Sequence, residues 1–150
     1  MSMTGYVDVM ETREKADRPL AAVIVDDDIL SCAALARLLT AYCSDVRYLA
    51  SFTDASGALD FSASGEADVF FVSMELQDNG ALYLAERLRE STMAMVFIST
   101  SGGMSPTLQH MGRTLHLSKP VDIEQLRSAI ADVVRLLHNN AEGNTHSEAP

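Results

Sequence analysis

Basic residues are scarce in this chain. Its 150 residues include 11 Lys and Arg against 21 Asp and Glu, a formal net charge of -10. Nucleic-acid binding relies on clustered cations that neutralise phosphates, so no nucleic-acid partner is expected. Cysteine is scarce as well. Cys32 and Cys43 are the two present, and neither stands in a CxxC or His/Cys ligand spacing. They read as small buried residues of one helix. Without a disulfide framework, a reducing cytoplasm is the expected setting. No apolar run is long enough to span a bilayer, so no membrane contact is expected. The first residues, interrupted by Asp8, Glu11, Glu14 and Asp17, lack the apolar centre of an export signal. A glycine-rich phosphate loop and a nucleophile–base pair are also missing, which argues against an enzyme.

What the chain does have is apolar material. Hydrophobic residues make up 47% of it, enough for the core of one domain. Residues 1–18 are polar and weakly patterned, an extension ahead of the domain. Residues 139–150 (NNAEGNTHSEAP) lack large apolar side chains and read as a disordered tail or linker. The folded part is expected over residues 19–138.

Within it, short apolar runs alternate with segments of helical period. Strands are predicted at Leu20–Val25, Val46–Ala50, Val69–Val72, Met95–Ile98 and Leu115–Leu117. Helices are predicted at Ile29–Cys43, at Thr53–Phe61 with Thr53 or Asp54 as cap, and at Ala81–Arg89 after an Asn79-Gly80 turn. A weak helix at Thr107–Met111 follows Gly102-Gly103 and ends at Gly112. The last helix, Val121–His138, carries Ile123, Leu126, Ile130, Val133 and Leu137 on one stripe. Five strand–helix repeats with apolar central strands imply a doubly wound α/β fold. Its five-stranded parallel sheet would have helices on both faces.

In such folds the functional crevice lies at the carboxyl ends of the strands. The residues there are Asp26, Asp27 and Asp28 after the first strand, and Ser73, Met74 and Glu75 after the third. Ser99 and Thr100 follow the fourth, and Ser118, Lys119 and Pro120 the fifth. Two carboxylates about 4 Å apart repel by roughly 4 kcal/mol at an effective dielectric near 20. A divalent cation, Lys119, or protonation of one acid must offset this. Magnesium suits the acids as a hard ion that takes one or two carboxylates and keeps several waters. The bland alternative for the cluster is a helix cap, since acids are favoured at a helix start.

Val23 to Asp28 (VIVDDD), Ala67 to Gly80 (ADVFFVSMELQDNG) and Leu117 to Pro120 (LSKP), continuing into VDIEQL, together resemble the bacterial response-regulator receiver domain. The resemblance covers nearly all of residues 19–138 and implies a CheY-like, flavodoxin-like fold. By that resemblance Asp26 and Asp27 match the metal-binding acid pair. Ser99 matches the hydroxyl that reports phosphorylation, Lys119 the lysine that contacts the phosphoryl group, and His116 the aromatic switch position. Ser73 stands where the family carries its phosphoacceptor aspartate, a degenerate position with no catalytic residue. The usual Met-Pro becomes Leu76-Gln77, and the loop to Gly80 is one residue shorter.

The resemblance therefore implies a pseudo-receiver. A serine hydroxyl is a poor nucleophile without a base, and no histidine is expected beside Ser73, since a side chain at the switch position points away from it. No cofactor is required, and magnesium binding at Asp26 and Asp27, with Glu75 as a substitute ligand, is expected to be weak. The expected function is phosphorylation-independent signalling by protein–protein contact in a bacterial two-component-type pathway. The partner would be a signalling enzyme or a second copy in a homodimer. The alternatives are an active switch with a substitute acceptor, or the regulatory module of a larger protein. The fourth helix, fifth strand and last helix are the expected docking face, with Arg127, Asp132 and Arg135 flanking the last helix's core stripe.

Overall fold

The computed structural model describes residues 18–100 and 114–146, with side chains as far as residue 139. The expected Gly102-Gly103 turn, the weak helix at Thr107–Met111 and nearly all of the N-terminal extension lie outside the described residues.

Five strands, β1 (Leu20–Val25), β2 (Val46–Phe52), β3 (Val69–Ser73), β4 (Ala94–Ser99) and β5 (Thr114–Ser118), form one sheet. All pairs are parallel and the order is β2-β1-β3-β4-β5. The described helices are α1 (Ile29–Tyr42), α2 (Ala55–Ser62), α3 (Gly80–Leu88) and α4 (Ile123–His146), with a single 3-10 turn at Gln77–Asn79. The predicted doubly wound α/β architecture is the observed one.

Side-chain alternation along the strands builds two cores. On one face Ala22, Ile24, Val69, Phe71, Val96 and Ile98 pack against Leu35 and Leu39 of α1 and Leu126, Ile130 and Val133 of α4. On the other, Val23, Val25, Phe70, Val72 and Phe97 meet Ala58 of α2 and Leu84, Ala85 and Leu88 of α3. Because both faces are covered, β1, β3 and β4 read as continuous apolar runs rather than as alternating ones. Cys43 is buried at the carboxyl end of α1 and burial raises its thiol pKa, while Cys32 is partly buried; both are free. Among the described residues, no helix is long and apolar enough to cross a membrane.

Several boundaries and one turn differ from expectation. The strands β2, β3, β4 and β5 run a residue or two longer, so Ser73 and Ser99 belong to the ends of β3 and β4. The turn into α3 places positive φ on Asp78 (59°) and Asn79 (54°), residues that tolerate the left-handed region, while Gly80 is helical at φ -59°. Gly80 answers a different need, close packing: a Cβ there would lie 3.1 Å from the Leu76 Cβ. Finally, α4 continues through Asn139 to His146, where the composition suggested a disordered tail. Missing apolar residues remove packing, but extending a helix already nucleated fixes one residue per hydrogen bond, and no proline intervenes before His146.

Capping starts the helices. Asp28 accepts hydrogen bonds from Leu30 N at 3.0 Å and Ser31 N at 3.3 Å, and Asp54 accepts from Gly57 N at 2.7 Å. Replacing Asp54 by Ala should lower the unfolding free energy by about 1 kcal/mol, measured by urea denaturation. The Ser31 backbone N–H and then its hydroxyl hold the Asp28 carboxyl below its ordinary value of 3.8. A lowered folded-state value means stability present above the unfolded value and lost as pH falls through the lowered one. Wild type should therefore melt above Asp28→Asn at neutral pH, and the gap should close as pH drops below 3.8. Melting curves from neutral pH to pH near 2 check this; a gap that stays constant with pH contradicts it.

Candidate functional site

The order β2-β1-β3 reverses the direction of winding between β1 and β3, and the carboxyl ends at that reversal gather the polar residues. Asp26 follows β1 and is buried at 6% exposure. Its Oδ1 accepts from Asp28 N at 2.9 Å, and its Oδ2 lies 3.4 Å from Lys119 Nζ. The turn after β5 supplies Lys119, whose backbone N–H donates to Ser99 O at 2.8 Å and whose peptide bond to Pro120 is cis. The same ammonium lies 3.8 Å from Glu75 Oε1. Lys119 thus bridges β1 and the loop after β3.

Of the three adjacent aspartates, each has a separate contact. Asp26 meets Lys119, Asp28 caps α1, and Asp27 Oδ2 accepts from Gln77 N at 3.3 Å, tying the loop after β3 to the end of β1. The two readings weighed for this cluster, cap and charged site, therefore apply to different residues of it.

Ser73 is buried at 2% exposure, and its Oγ accepts from Glu75 N at 3.2 Å. That is the geometry of a turn-stabilising hydroxyl. Ser99, also 2% exposed, shares a 2.8 Å hydrogen bond with His116 Nε2. His116 therefore turns toward Ser99. The β4–β5 register explains this: Phe97 pairs with His116 and Ser99 with Ser118, so Ser99 and His116 are diagonal neighbours on one face. The pairing was not foreseen, although a polar residue at the same parity on two adjacent strands is the signal that would have suggested it.

Oxygen donors dominate this edge, which is the chemistry magnesium takes. Asp26 and Asp27 would hold such an ion, with waters completing the shell. Ser73 contributes a neutral hydroxyl to the same edge rather than a carboxylate. Among the described residues, no group of three or more His, Cys, Asp and Glu side chains is gathered as a metal-ligand set.

The flanks of α4 are engaged within the chain. Arg127 donates to Tyr42 O at 3.0 Å, and Arg135 pairs with Asp132 on its own helix. A helix lying beside the end of α1 presents Arg127 to an uncapped carbonyl, and Arg127 and Arg135 remain exposed alongside these contacts.

Comparisons with known proteins agree with this geometry. The family model for the response regulator receiver domain matches residues 22–131. Among solved structures, the signal receiver domain of an HD domain-containing protein from Pseudomonas fluorescens Pf-5 is 21% identical. It covers 81% of this chain and 99% of that one, with a TM-score of 0.68. A CheY-like receiver domain from Methylobacillus flagellatus is 22% identical over 77% of this chain and 98% of that one, with a TM-score of 0.64. The receiver domain of Ssk1 from Saccharomyces cerevisiae, solved with the histidine phosphotransfer protein Ypd1, is 16% identical. There the match covers 79% of this chain and 91% of that one, with a TM-score of 0.67. Comparison with curated proteins returns no match. At these identities the structural likeness speaks for the fold, and the family model, matching well over half of the sequence, extends it to descent: the chain belongs to the response regulator receiver domain family.

Proposed function

We propose that this receiver domain signals through protein–protein contact without accepting a phosphoryl group at position 73. By family resemblance Ser73 takes the place of the phosphoacceptor aspartate, and a buried serine at the end of β3 is the observation that supports the proposal. Its hydroxyl is 2% exposed and serves the Glu75 amide. A nucleophilic serine needs a base within hydrogen-bond reach, and His116, the imidazole on β5, is engaged with Ser99. The setting is a bacterial two-component-type pathway in the cytoplasm, with a signalling protein or a second copy as partner. The yeast complex of a receiver with a histidine phosphotransfer protein supports a partner of that class.

Asp26 and Asp27 hold magnesium weakly in this reading, because the third acid is missing. A ligand worth about as much as a charge-assisted hydrogen bond, roughly 1.5–3 kcal/mol, corresponds to about a tenfold to hundredfold change in affinity. If the protein is an active switch, Glu75, at 3.8 Å from Lys119, and Asp78 in the following loop are the substitute acceptors to consider.

Two experiments separate these readings. Treated with a small-molecule phosphodonor and magnesium, the protein should keep its unmodified mass under conditions that label an ordinary receiver. A stoichiometric adduct mapped to Glu75 would establish the substitute-acceptor reading, and one mapped to Ser73 would overturn the proposal. Ser73→Asp should take up base-labile phosphate in part, since it restores an ionised nucleophile and a third metal ligand. It should also melt lower than wild type without magnesium, because another acid joins those already crowded there, and recover with it. Intact-mass spectrometry and melting curves with and without magnesium read both effects. A Ser73→Asp protein with neither phosphate uptake nor extra magnesium stabilisation would show that position 73 is not the acceptor position.

A further inference from the structure

Between α1 and the turn that joins β5 to α4 lies a cavity of about 370 Å³. Small-molecule sites fall in the range of roughly 300–1,000 Å³, mostly apolar with a few convergent polar groups. This one has that division. Leu35, Leu38, Ile98 and Val121 form apolar walls, and Asp26 with Lys119 forms a charged end. The apolar surface continues outward. Leu30, one turn before the cavity-lining Ala34, is 81% exposed, and Ile29 beside it is 74% exposed. A ligand matched to this shape has an apolar body and one polar head.

The charge balance at the polar end selects the head. Lys119 contacts two carboxylates, Asp26 at 3.4 Å and Glu75 at 3.8 Å, so one ammonium serves two negative charges. Both distances exceed the roughly 2.7–2.9 Å of a tight charge-assisted bond. A carboxylate offers about four lone-pair sites. Among the described residues, Asp26 has two hydrogen-bond donors, Asp28 N and Lys119 Nζ. An anionic head would meet the Asp26 carboxylate and compete with Glu75 for the one ammonium, whereas a monocation would bring the three charged groups to balance. Lys119 has a flexible stem and Glu75 is 41% exposed in its side chain, so the lysine can move onto Glu75 as a ligand head takes Asp26.

We propose that this cavity binds a small amphipathic cation, with an ammonium-type head on Asp26 and an apolar body against Leu35, Leu38 and Val121. The inference goes beyond the signalling function proposed above and does not depend on the role of Ser73. It would make the position of Lys119 sensitive to a ligand rather than to a phosphoryl group.

The test uses the full chain in metal-free buffer and three probes with one hydrocarbon body: hexylammonium, hexanol and hexanoate. Binding is followed by amide NMR shifts. Hexylammonium should shift the amides of Ala34, Leu38 and Val121 saturably, with an affinity at least about tenfold above that for hexanoate. Ala34→Phe, which places a ring in the cavity from a position on the exposed side of α1, should remove those shifts while the rest of the spectrum is retained. Asp26→Asn should lower the affinity for hexylammonium to that for hexanol. Equal or tighter binding of hexanoate, no saturable shift with hexylammonium, or unchanged binding in both variants would overturn the proposal. Working without magnesium keeps this outcome separate from the metal reading, and phosphodonor labelling is not involved.

Discussion

Parallel pairing of β1, β3 and β4 sets the distances among the groups at the carboxyl edge. Ala22 to Val25 pair with Val69 to Val72, and Val69 to Ser73 with Ala94 to Ile98. Strands in register end together, so Asp26, Ser73 and Ser99 arrive at one rim although they are far apart in sequence. Large buried side chains (Phe70, Phe71 and Phe97) lock that register from both faces, since a one-residue slip would turn each to the wrong side of the sheet. The rim can be polar because everything beneath it is apolar and fixed.

Crowded acids at this rim are accommodated by division of contacts. Asp26 is held by Lys119 and a backbone amide, Asp27 by a loop amide, and Asp28 by the start of α1. Backbone N–H groups stabilise carboxylates without bringing a compensating charge. Much of the stabilisation that residue counting would assign to cations thus comes from backbone amides, with Lys119 shared between Asp26 and Glu75. All buried side-chain nitrogen and oxygen atoms among the described residues have a partner, Ser73 and Ser99 included.

The strand cores and helix stripes were legible in the sequence because burial on two faces demands continuous apolar runs, and burial on one stripe demands helical spacing. The rim residues were legible from the rule that strand ends carry function, together with the family resemblance at VIVDDD and LSKP. What could not be read was pairwise geometry. Nothing along the chain says that Asp27 reaches Gln77, that Ser99 meets His116, or that Arg127 turns to Tyr42, because each depends on register or on helix position. The end of α4 was misplaced for a different reason: composition reports the loss of packing, whereas helix continuation follows from local backbone cooperativity.

The bond from Arg127 to the carbonyl of Tyr42 spans 85 positions in sequence. Tyr42 ends α1, the first of the described helices in chain order, and its partner sits in α4, the last of them. On a ribosome, the carboxyl end of α1 must wait, facing water, until every strand of the sheet has emerged and α4 can lie down beside it. This contact therefore joins the first of the described helices to the last. The layer formed by α1 and α4 becomes complete only when translation has passed the whole sheet.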